Sequence, residues 1–110
     1  MARSSRATTV LGGGSVAGHV YILASGPHGT LYVGVTAKLS KRIWLHKEGL
    51  GSEFCAKYGV DRLVHYERYD DIRDAIHREK RLKKWPRRWK IELIEAANPT
   101  WSDLYATFNQ

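Results

Sequence analysis

Five polar side chains fall on stretches that otherwise read as apolar: Tyr21, Tyr32, Arg42, His46 and Glu79. Glu79 is the most telling. In DIRDAIHREKRLKK, residues 71–84, the apolar residues Ile72, Ala75, Ile76 and Leu82 recur at helical spacing, and Glu79 lies on the same stripe. A carboxylate on a buried face must be neutralised by an arginine, a hydrogen-bond network or a metal ion. Arg42 is the candidate partner for an ion pair; a single-carboxylate metal site is the other reading. Competing chemistries lack their residues. The five histidines have no metal-ligand spacing and Cys55 is the only cysteine, which excludes zinc ribbons and intramolecular disulfides. Gly12–Gly14 leads into no phosphate-binding strand–helix motif, and there is no G-x-S-x-G elbow. Cys55 has no activating neighbour and reads as a small buried residue.

A second feature is electrostatic. The net charge is +7, and the segment Lys80–Lys90 (KRLKKWPRRWK) holds seven cations and no acid, so the rest of the chain sums to zero. Lys80, Lys83, Lys84, Arg87, Arg88 and Lys90, interleaved with Trp85 and Trp89, form the footprint of a nucleic-acid binder. The alternative is a solvated helix face with its tryptophans turned inward. An acidic membrane surface fits less well, because Pro86 interrupts the segment and no long apolar face accompanies it.

The elements that position these groups can be read in order. His19–Ala24 and Leu31–Val35 are β-branched and aromatic, and the turn formers of Ser25–Thr30 join them into an antiparallel hairpin. Tyr21 and Tyr32 occupy similar places in the two strands and are expected near each other on one face. Gly34 inside a strand predicts a bulge or a close approach by another group. Thr36 is the expected cap of a helix to about Lys47, with Leu39 and Ile43 inward and Arg42 and His46 sharing a face. A loop with a short turn at Glu53–Tyr58 leads to a third strand, Arg62–Tyr69. Asp71 and Asp74 open the central helix in capping-box-like spacing. Pro86 is expected in the first turn of the next helix, about Arg87–Ala96, whose apolar row is Trp89, Leu93 and Ala96. Thr100 to Asp103 predicts a cap for a last short helix carrying Trp101 and Leu104. The order β-β-α-β-α-α gives an α+β domain, a small three-stranded antiparallel sheet flanked by helices. Residues 1–17 and 106–110 read as tails around a domain over 18–105. No apolar run approaches the roughly 18 residues of a membrane span or the core of a signal peptide, and the expected compartment is the cytoplasm.

Taken together, Val20-Tyr21-Ile22, Tyr32-Val33-Gly34, Leu39-x-x-Arg42-x-x-x-His46 and AIHREKRLK at 75–83 resemble the GIY-YIG nuclease domain. Within that family the chain is similar to the small stand-alone bacterial proteins of the UPF0213 or YhbQ-like type. The likeness covers residues 19 to about 104. The first motif lacks its glycine, and the asparagine that follows the metal glutamate in larger members corresponds to Lys90 or is displaced to Asn98. The resemblance implies hydrolysis of phosphodiesters with one divalent metal, Mg²⁺ or Mn²⁺, held chiefly by Glu79. It implies that Tyr21 activates the attacking water, with Arg42 and the metal needed to lower its ordinary pKa of about 10. Tyr32 positions water or phosphate, Arg42 clamps the scissile phosphate, and His46 assists proton transfer or orients Tyr21.

The expected activity is therefore a metal-dependent DNA endonuclease. Its intrinsic sequence specificity should be low, because a domain this small offers few base contacts, and its targets would be structured or damaged DNA. The alternative from another class is a nucleic-acid-binding module that keeps the fold and cuts poorly or not at all. RNA is not excluded as substrate, and a homodimer or partner protein could supply additional grip.

Overall fold

The computed structural model describes residues 16–108, so residues 1–15 of the expected N-terminal tail and the last two of the C-terminal one lie outside the described residues. The chain forms β1 (Gly18–Ala24), β2 (Leu31–Thr36), α1 (Leu39–Lys47), α2 (Glu53–Tyr58), β3 (Arg62–Tyr69), α3 (Ile72–Lys84), α4 (Arg87–Ala97) and α5 (Tyr105–Phe108). The three strands make an antiparallel sheet of order β2-β1-β3, so the first strand is central and the α+β expectation holds.

Strand alternation divides the core between the two faces of this sheet. Val20, Ile22 and Ala24 of β1 pack with Val33, Val64, Ala75, Leu82, Ile94 and Trp101, under α3 and α4. Tyr21 and Leu23 point the other way and pack with Leu39, Ile43, Cys55, Val60 and Leu63, under α1 and α2. Each fully buried aliphatic contributes about 1.5–3 kcal/mol, so both clusters are needed to hold a chain this short. A polar group fastens α3 to β3: Arg78 donates to both oxygens of Glu67 (2.9 and 3.1 Å), which also bonds His65 and accepts from Tyr69 (2.8 Å each). Burial pushes the Glu67 carboxyl up, but these hydrogen bonds outweigh it and bring it down to about 2.

Three boundaries differ from expectation. Thr36 is the last residue of β2, paired with His19, and its Oγ1 accepts from the Lys38 N–H (3.0 Å), so α1 starts only at Leu39. In α4 the expected row Trp89, Leu93 and Ala96 is not the inner one. Ile94 is its buried residue, Ile91 and Leu93 are half-buried, and Trp89 is 46% exposed. Trp89 instead packs edge-on to Trp85 with ring centroids 5.7 Å apart, and Pro86 stands at the N-cap. Trp101 is not helical. It is a buried loop residue in the left-handed region (φ 57°), its indole N–H donating to Glu95 (2.8 Å). The last helix begins after it because Asp103 Oδ1 accepts from both Leu63 N–H (3.2 Å) and Tyr105 N–H (3.1 Å), which ties the loop to β3.

Candidate active site

Tyr21 is the point on which the site converges. It stands in the middle of the central strand opposite Gly34, while Tyr32 lies opposite Leu23, one alternation along the same face. The two tyrosine rings are 6.4 Å apart, as the hairpin reading anticipated. The Tyr21 ring lies across β2 over Gly34: a Cβ there would come within 2.4 Å of the Tyr21 Cζ and hydroxyl. Gly34 is thus a close approach and leaves the β1–β2 register unbroken; the sheet's irregularity falls between Ile22 and Leu23, against β3. The hydroxyl reaches His46 Nε2 at 3.1 Å, from one helix turn beyond Arg42 on α1. The imidazole is buried against Gly51, where a Cβ would sit 2.7 Å from Nδ1. Two glycines therefore leave room for a tyrosine–histidine pair.

Nδ1 of His46 is buried without a hydrogen-bond partner. Burial followed by repulsion from Arg42 holds the His46 pKa below 6.5. The ring is neutral at neutral pH. Burial moves Tyr21 in the opposite sense, well above the ordinary phenol value, with Tyr32, Cys55 and Glu79 adding to it and Arg42 opposing. The expectation that Arg42 lowers the Tyr21 pKa is half right: its field has that sign, but burial is larger. Of the four other residues expected at the site, the structure brings His46 and Tyr32 against Tyr21, His46 by a hydrogen bond and Tyr32 ring to ring, while Arg42 and Glu79 act on the phenol only through their charge.

Glu79 is buried, 9% exposed, as its place on the stripe required. Its partner is not Arg42. Lys83, one turn on in α3, places Nζ 2.7 Å from Glu79 Oε2, because residues four apart on a helix meet without any tertiary movement. Lys83, expected on nucleic acid, is therefore committed to Glu79, although half of its side chain remains in solvent. Arg87 is committed too, donating to the carbonyls of His28 (2.7 Å) and Gly29 (2.8 Å) in the β1–β2 turn. Lys80, Lys84 and Arg88 are exposed and Lys90 is half-buried. Asn98 is buried and spent on the fold: its amide donates to the carbonyls of Val64 (3.1 Å) and Ser102 (2.9 Å), and its oxygen accepts from Ser102 N–H (3.0 Å).

Two cations escaped the sequence reading. Lys38 and Lys41 line, with Arg42, a cleft of ≈ 530 Å³ bounded by Val35, Thr36, Leu45 and Ile72. The signal was available: the first acidic residue in the chain is Glu48, so every charge before it is positive. A whole-chain sum hid this, because acids after residue 47 cancel those cations.

Among the described residues no three His, Cys, Asp or Glu side chains converge as a metal cage. A single buried carboxylate fits Mg²⁺, which keeps most of its waters and binds through one or two carboxylates plus substrate phosphate. It does not fit a structural zinc or an all-protein calcium site. Among the described residues no helix is long and apolar enough to cross a membrane.

Comparison with known proteins identifies the family. Residues 17–92 match the GIY-YIG catalytic domain. A UPF0213 protein of Clostridium perfringens is 37% identical over 78 residues, covering 71% of this chain and 83% of its own length. One from Syntrophus aciditrophicus is 37% identical over 81 residues (70% and 88%), and one from Natronomonas pharaonis is 33% identical over 76 (69% and 88%). No solved structure matches the chain. With a catalytic-domain match spanning most of the sequence and relatives covered nearly end to end, the chain belongs to the GIY-YIG nuclease family, as a protein of the UPF0213 type.

Proposed function

We propose that this protein is a metal-dependent endonuclease that hydrolyses phosphodiester bonds in DNA. The observation that carries the reading is the buried Tyr21–His46 hydrogen bond on the central strand, with Tyr32 ring to ring with both, in a chain that also buries the lone carboxylate of Glu79 on α3. Arg42 receives the scissile phosphate through its guanidinium. Tyr21 is a neutral phenol before reaction, so it acts as a relay: it takes a proton from the attacking water while passing its own to His46 Nε2. His46 can accept because burial and Arg42 keep it neutral, and the bound phosphate then offsets the Arg42 charge that opposes its protonation. The water oxygen bonds to phosphorus, the bond to the 3′ oxygen breaks, and that oxygen takes a proton from solvent while His46 returns its own to solvent, so the products are a 5′-phosphate and a 3′-hydroxyl. Tyr32, ring to ring with both Tyr21 and His46, positions water or phosphate. Glu79 would hold Mg²⁺ or Mn²⁺, which would supply positive charge to the leaving oxygen. Lys80, Lys84, Arg88 and Lys90 hold the phosphate backbone outside the cleaved bond.

One observation favours a second reading, a binding module that does not cut. Glu79 is already neutralised by Lys83, so the ion pair alone accounts for a buried carboxylate. The nuclease reading is preferred because the pair does not explain the buried Tyr21–His46 hydrogen bond with Tyr32 packed against both rings. The test is cleavage of branched, nicked and plain duplex DNA with Mg²⁺ or Mn²⁺, by wild type and Glu79→Gln. Metal-dependent cutting lost in the variant, with binding retained, is the expected result. Salt-sensitive binding with no cutting by wild type on any of the three would overturn it in favour of the binding module.

A further inference from the structure

Large rings usually face inward, yet α2 turns two of them out. Phe54 is 43% exposed and Tyr58 51% exposed, while Cys55 between them is buried. The two are four residues apart and so share a helix face, with centroids 4.9 Å apart. The helix that presents them is held at both ends: Ser52 caps its start and Gly59, in the left-handed region (φ 65°), ends it. The row does not stop at α2. Phe54 stacks on Tyr32 (6.3 Å, 27°), and Tyr32 lies 5.5 Å from His46 and 6.4 Å from Tyr21. A continuous line of rings leads from the Tyr21–His46 pair into solvent.

We propose that Tyr32, Phe54 and Tyr58 form a stacking shelf for an unpaired nucleobase next to the cleaved phosphate. The shelf's place beside the cleaved bond rests on the nuclease reading; the stacking itself does not. A base fits better than a second copy of the chain. Two half-exposed rings offer on the order of 200 Å², against the roughly 800 Å² per partner that a stable dimer buries. The helix is also electrostatically neutral, with Glu53 and Lys57 its only charges, and Lys57 lies over the Tyr58 ring (5.4 Å). It supplies ring surface and no net grip on phosphate. A base on Phe54 lies next to Tyr32 and so within one ring of the Tyr21–His46 pair, a position a paired base inside a duplex cannot take.

The test uses the full chain in EDTA with an oligonucleotide carrying 2-aminopurine in an unpaired tail, and a fully paired control. Stacking on the shelf should quench the fluorophore in the tail and not in the duplex. Phe54→Leu with Tyr58→Leu keeps the apolar bulk; it should abolish the quenching and weaken tail binding about 5- to 100-fold. Phe54→Trp should restore both, and the salt dependence of binding should not change. Unchanged quenching and affinity in the leucine variant would overturn the proposal. So would a wild-type dimer in sedimentation that the leucine substitutions dissociate without altering tail binding. Quenching that depends on Phe54 in a protein that never cuts in Mg²⁺ removes the nuclease reading and leaves the shelf. Cutting that ignores Phe54, with no quenching, removes the shelf alone.

Discussion

Gly34→Ala should damage this protein twice, and the two effects can be separated. The added Cβ would meet Tyr21 Cζ and hydroxyl at 2.4 Å, so the ring must withdraw by about 1 Å to regain ordinary carbon contact. That shift either breaks the 3.1 Å bond to His46 or drives the two rings together, because the far side of the imidazole already rests on Gly51. Overpacking costs about 1–3 kcal/mol and the lost hydrogen bond about 1 kcal/mol. At about 4–8 °C per kcal/mol for a domain of this size, the melting temperature should fall by roughly 10 °C or more. Cleavage per folded molecule should fall about 100-fold, the usual consequence of misplacing a reacting group by 1 Å. The assay is a double-mutant cycle with Tyr21→Leu, followed by thermal melting and by cleavage of a labelled duplex. In the Tyr21→Leu background the alanine has no ring to strike, and a coupling of about 1–3 kcal/mol should appear. If Gly34→Ala melts with wild type, or costs the same in both backgrounds, the ring does not occupy that space and the argument fails. If stability drops while cutting per folded molecule is unchanged, Tyr21 is packing and not chemistry.

Three further outcomes are expected. The neutral His46 adds stability that is complete above pH 6.5 and lost as pH falls through its depressed folded value, because only the unfolded ring protonates in that window; cleavage should decline with it, and His46→Gln should flatten that acid limb of the stability–pH curve. Asn98→Ala strands the Val64 and Ser102 groups it serves and should cost about 2–4 kcal/mol in urea unfolding while leaving cleavage per folded molecule unchanged; a catalytic loss without destabilisation would return Asn98 to the active site. Lys80→Ala with Lys84→Ala should lower the slope of log affinity against log salt by nearly 2 if each contacts one phosphate, whereas Arg87→Ala should act mainly on stability by freeing the hairpin turn.

Much of this protein was legible in its residues because the governing interactions are local. Strand alternation in HVYILA and the helical recurrence of Ile72, Ala75, Ile76 and Leu82 depend on neighbours two to four positions away, so both elements and the burial of Glu79 follow from pattern alone. Gly34 announced a bulge or a close approach for the same reason, and only the packed Tyr21 ring decided for the second. What pattern could not decide was where long side chains go. Arg87 turned to the β1–β2 turn and Asn98 closed a loop, each choice settled by which acceptor lay within reach once the helices had packed, whereas Lys83 took Glu79 from Arg42 locally, four residues away on the same helix. Trp89 stayed outside because α4 buried Ile94 instead, a rotation that apolar residues on several sides of one helix leave open. The Tyr21–His46 bond and the ring line through Tyr32 to Tyr58 join β1, β2, α1 and α2 across long stretches of chain. Residue types and spacing named the participants; only the packing of helices on both faces of the sheet, which sets distances between segments far apart in the chain, decided which of them touch.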